Sequence, residues 1–201
     1  MCGIGVTGQG SVWAGSGFSF LMIILTGEGL STAQYFFINT FWMAISLFFW
    51  MWTITELKYK GKQKIILLIY AIMGITFEIY LIYYLITDPS IIGEVSTPPL
   101  DITYHGIAMI FTLFVLASIC ISLFLFAGSS LKTGTPDIKL KAKFLLIAMI
   151  SFVIGAFADG FVTLTMITVF VIRILLISSA IEVYIGWVLP EFVRKLFLKE
   201  T

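Results

Sequence analysis

The sequence predicts an all-α fold, a polytopic transmembrane helix bundle with five clear spans and a sixth left open, and three observations carry that prediction. The 201 residues are 60% hydrophobic and 11% charged, whereas soluble domains are about 25% charged. Apolar runs long enough to cross a bilayer, which takes about 20 residues, recur along the chain. Between them the lysines gather in alternate connections, as the cytoplasmic loops of membrane proteins require.

Residues 1–31 open with the Gly-rich "MCGIGVTGQGSVWAGSG", followed by the short apolar "FSFLMIILTG". They read either as a sixth, N-terminal span or as a re-entrant or interfacial piece. Glu28 is their only charge, and no Lys/Arg region of a signal peptide precedes the apolar stretch. Thr32 to Thr55 forms the first clear span and is followed by "ELKYKGKQK", with Lys58, Lys60, Lys62 and Lys64. Ile65 to Thr87 is the second, running into the Lys-free "DPSIIGEVSTPPLDI". Tyr104 to Ala127 is the third, and the connection "GSSLKTGTPDIKLKAK" after it holds Lys132, Lys139, Lys141 and Lys143. Phe144 to Leu189 is too long for one span and divides most simply at "ADGFVT", where Asp159-Gly160 suits a turn.

This threading puts every Lys and Arg except Arg173 on one side, including Arg194, Lys195 and Lys199 after the last span. The positive-inside rule makes that side the cytoplasm of a multi-pass cell-membrane protein, with its C-terminus inside and residues 88–103 outside. The whole chain then reads as one membrane domain: the N-terminal segment 1–31, the bundle 32–189, and a short interfacial helix in 190–201. In "PEFVRKLFLKE", Phe192, Val193, Leu196 and Phe197 oppose Arg194, Lys195 and Lys199, a pattern suited to the anionic inner leaflet.

The charges inside the spans are the candidate site. At a rise of about 1.5 Å per residue, Glu78, Asp159 and Arg173 share a level in the outer half of the membrane. An unpaired charge there costs about 2.5–3.5 kcal/mol on insertion scales, so the three are expected to form a cluster, with Asn39 as a fourth polar member. Ala71, Gly74 and Glu78 fall on one helical stripe and Ser151, Gly155 and Asp159 on another, faces on which small residues admit a close neighbour. Glu182 lies nine residues past Arg173, about half a turn away around the helix, and forms a second polar patch with Ser178 and Ser179. Polar groups on both faces suggest that the last span is central in the bundle or shared with another subunit. The aromatic run with Trp42, Trp50 and Trp52 is expected to anchor in the membrane interface, and His105 likewise.

Several functions are disfavoured. The chain lacks GxSxG and HExxH, and "ADG" matches one corner of an aspartate-rich lipid-transferase motif without its other aspartates, so no catalytic residue is assigned. Cys2 and Cys120 have no metal spacing, a lone histidine cannot supply paired haem ligands, and no lysine within a span offers a retinal Schiff base. No cofactor, metal or nucleic-acid partner is expected. The expected partners are the lipid bilayer and either further copies of the chain or a cytoplasmic signalling protein.

The segments "PDIKLKAKFLLIAMISFVIGAFADG" and "VIRILLISSAIEVYIGWVLPEFVRKLF" resemble the end of uncharacterised archaeal multi-span membrane proteins. Those proteins are themselves loosely similar to the seven-span sensory regions that precede histidine kinases. The resemblance implies a sensor-like or small-ligand-binding bundle. The alternatives are a small oligomeric transporter or channel subunit, or a structural membrane subunit.

Overall fold

A computed structural model describes residues 5, 8, 10–96, 102–161 and 166–198. Its helices are α1 (Ala14–Thr26), α2 (Thr32–Lys58), α3 (Gln63–Thr87), α4 (Gly106–Thr133), α5 (Pro136–Phe161), α6 (Met166–Val188) and α7 (Glu191–Phe197). Two three-residue strands, β1 (Gly93–Val95) and β2 (Ile102–Tyr104), pair antiparallel between α3 and α4. Among the described residues, five helices, α2 to α6, are long and apolar enough to cross a membrane. The all-α membrane bundle expected from the sequence is therefore the observed fold. The chain forms two compact units, Met1–Ile119 and Cys120–Thr201.

In the first unit α2 is the most enclosed span, with 56% of its most apolar window buried. Its start is set locally: the Ser31 side chain accepts from the Gln34 N–H while the Gln34 side chain accepts from the Ser31 N–H, a reciprocal capping box. Tyr35, Phe36, Met43, Leu47 and Ile54 then form a buried stripe. Hydroxyls on this helix satisfy themselves on the preceding turn, Ser46 on the Met43 carbonyl and Thr55 on that of Met51, which removes the penalty for a bare hydroxyl in hydrocarbon. Gly74 of α3 faces Ala44 of α2, so the small-residue stripe on α3 does mark a packing face.

The strands close the end of this unit. Gly93 pairs with Tyr104, and a Cβ at Gly93 would run into the Thr103 carbonyl. Tyr104, expected as the first residue of the third span, belongs to β2 instead. Its hydroxyl lies 3.2 Å from Thr40 Oγ1 and its ring leans on Phe36. The helix proper starts at Gly106, whose φ of +49° favours a residue without a Cβ. Trp50 also departs from expectation: it is 4% exposed and packs in the core, whereas Trp42 is half exposed as an anchor would be.

The second unit is built on α5 and α6, which run antiparallel in close contact. Lys141 donates to the Trp187 carbonyl, Leu145 faces Gly186, and Gly155 faces Leu176, so one register holds along the whole pair. The connection after α4 is shorter than the Lys-rich stretch suggested. Nothing in "SSLKT" breaks a helix, so α4 continues to Thr133, and Pro136 opens α5 where its missing N–H costs nothing. The other expected break, Asp159-Gly160, lies inside the last turn of α5, which continues to Phe161; Val162 and Thr163 of "ADGFVT" lie outside the described residues. At the far end Leu189 takes a left-handed conformation (φ 52°) and is held there by packing with Leu140 and Val193.

Candidate functional site

Asp159 and Arg173 meet because of the α5–α6 register. Gly155, one turn before Asp159, has no side chain to hold α6 away: a Cβ there would lie 2.7 Å from Leu176. That close approach sets the turn of α6 carrying Arg173 beside the last turn of α5, and Arg173 Nη1 reaches Asp159 Oδ2 at 3.2 Å. Of the expected stripe, Gly155 and Asp159 thus both face α6. The pair is incompletely enclosed, with the arginine side chain 31% exposed and the aspartate 12%. A guanidinium carries five donors in a fixed fork, more than one carboxylate takes up, so the arrangement can hold an acceptor group in addition to Asp159.

Glu78 stands in the first unit, on α3. Both of its carboxyl oxygens are buried without a hydrogen-bond partner among the described residues. Asn39, also in the first unit, is fully buried, and its Oδ1 accepts from the Gly15 N–H at 2.5 Å. Its amide therefore ties α1 to α2, and only its Nδ2 is left without a partner among the described residues.

The second patch lies on α6. Ser178 and Ser179 donate to the Leu175 and Leu176 carbonyls of their own helix, 2.8 and 2.7 Å away. The one proton on each hydroxyl is thereby engaged, and Glu182 Oε2 is buried without a hydrogen-bond partner among the described residues. Only 11% of the most apolar stretch of α6 is buried, the same share as for α3.

Sequence reasoning passed over three polar contacts. Tyr104 with Thr40, Ser16 with Tyr35 (2.7 Å between hydroxyls), and Lys141 with the Trp187 carbonyl all join segments distant in sequence. Only the α1–α2 contacts left a trace, since Gly8 and Gly15 repeat at the spacing of Asn39 and Ser46, which they face.

Fold and site together define a polytopic, all-α membrane protein with an ion pair held between two of its spans. No protein-family model, no curated protein and no solved structure matches the chain.

Proposed function

We propose that this is a sensor-like or small-ligand-binding protein of the cell membrane, with its Lys-rich connections in the cytoplasm and Asp159–Arg173 as the polar centre that a small anionic or polar ligand addresses. The observation that supports this reading is the partly open 3.2 Å ion pair between α5 and α6. A pair serving only to fix helix register has no need of exposure; a guanidinium left 31% exposed presents donors to a second acceptor. The Lys-rich connections and α7 are the route by which its state reaches a cytoplasmic partner.

The test uses purified protein in detergent, with acetate and inorganic phosphate as probes and the thermal midpoint as readout. Removing one partner of an enclosed pair costs about 3–5 kcal/mol, and the exposure of this one puts Arg173→Leu at or below the lower end. Asp159→Leu combined with Arg173→Leu recovers much of the loss. At least one probe is expected to raise the wild-type midpoint and leave the double variant unmoved. An equal response from both proteins, with stability recovered, would reduce the pair to a structural lock.

A second reading, an oligomeric transporter or channel subunit, draws on the buried, unpartnered carboxyl oxygens of Glu78 and Glu182, which lie on the two least enclosed spans. Potassium or proton flux in proteoliposomes, abolished by Glu78→Gln or Glu182→Gln, would favour it. A structural subunit would show neither binding nor flux.

A further inference from the structure

The first unit holds a second helical contact as close as that of the α5–α6 pair, and it bears on how many times the chain crosses the membrane. A Cβ built on Gly5 would lie 2.9 Å from the Trp50 backbone nitrogen, and Cβ atoms on Gly8 and Gly15 would collide with Ser46 and Asn39. Further along, Ser16 meets Tyr35, and Ser19 Oγ accepts from the Leu30 N–H at 3.2 Å. As one partner's number rises the other's falls at every contact, so the two segments are antiparallel. The Gly15 N–H bonded to Asn39 Oδ1 fixes their register by a hydrogen bond at the buried centre.

We infer that the segment whose described residues run from Gly5 to Thr26 makes a sixth membrane crossing, antiparallel to α2, which brings Gly5 to the side of the Lys58–Lys64 connection. Length permits it. Tyr35 to Trp50 is about 22 Å of α2, and the ten residues from Ser16 to Thr26 add about 15 Å, together exceeding the roughly 30 Å hydrocarbon core. Composition permits it too, because no Asp, Glu, Lys or Arg occurs between Gly5 and Thr26. A re-entrant or interfacial piece would return to the level of Ser31, whereas Gly5 lies level with Trp50, two turns from Lys58. The crossing also accounts for the burial of Trp50, Ser46 and Asn39 on a helix that would otherwise show that face to lipid. The inference is independent of the proposed function.

The test uses the natural Cys2 in the full chain carrying Cys120→Ala, with a membrane-impermeant maleimide applied to right-side-out and inverted vesicles. Thr133→Cys, in a chain with both natural cysteines replaced by alanine, marks the Lys-bearing side. Cys2 is expected to react in the same vesicles as the marker. Reaction in the opposite vesicles would return the segment to the other face. Reaction in neither until detergent is added would place Cys2 within the bilayer and overturn a complete crossing.

Discussion

At the scale of single residues, the polar side chains that join separate elements fix structure, whereas others turn back to their own backbone or, like Glu78, do neither among the described residues. Asn39 holds the Gly15 backbone, Arg173 holds Asp159, and Tyr104 holds Thr40. Tyr104 lies outside the spans and gives a pH-dependent prediction. Burial pushes its phenol up from 10.0 to about 12; the Thr40 hydrogen bond opposes that shift and nearby Tyr35 adds to it. The folded protein therefore keeps this proton at a pH where the unfolded chain has released it. The stability this residue contributes is complete below about pH 10 and declines as pH rises toward about 12. Thermal midpoints at pH 9 and pH 11 should fall further for wild type than for Tyr104→Phe. Equal falls would mean that the Tyr104 hydroxyl is not shielded from water.

At the scale of elements, glycine position decides which helices come close. Gly186 in α6 faces Leu145 so closely that a Cβ would lie 2.6 Å from its Cγ and 3.1 Å from its backbone nitrogen, leaving the neighbour little room to yield. Gly128 in α4 has nothing within 4 Å of the same point. Gly186→Ala is therefore expected to force α5 and α6 apart and cost about 1–3 kcal/mol. Gly128→Ala should be neutral or stabilising by up to about 1 kcal/mol, since alanine is the better helix former. Melting both variants in one detergent checks the contrast, and similar midpoints would contradict the tight α5–α6 register. The short α7 behaves as a bracket in the same unit: Val193 is buried against Leu140 and Leu189, Arg194 Nε meets Asp137 Oδ1 at 3.2 Å, and Phe192 and Leu196 are exposed.

At the scale of the whole molecule, the charge distribution is a statement about sides. Every Lys and Arg except Arg173 lies in or beside the connections that the sequence reading assigns to one face of the membrane, and the β1–β2 connection is the one that reading assigns to the other. Ser96→Cys and Thr133→Cys, each in a cysteine-free background, should react with an impermeant thiol reagent from opposite sides. Reaction of both from one side would remove the alternation of spans on which the topology rests.

Helix content and the five spans were legible in the sequence because each depends on local composition, apolar length above all. Gly74 and Gly155 were legible as packing faces for the same reason, since small residues at helical spacing declare a close approach without naming the neighbour. The neighbour itself was not legible. The pairing of Asp159 with Arg173 was expected from their shared depth, but that Glu78 keeps two buried oxygens without a partner among the described residues, and that Asn39 is engaged by Gly15, depend on which helices lie side by side. Serine hydroxyls near Glu182 turned back to their own helix because a carbonyl one turn away is always within reach. Enclosure was likewise not legible: within the first unit α2 is 56% buried over its most apolar stretch and α3 11%, because enclosure is set by how many helices pack around a span, and the residues of that span carry no record of it.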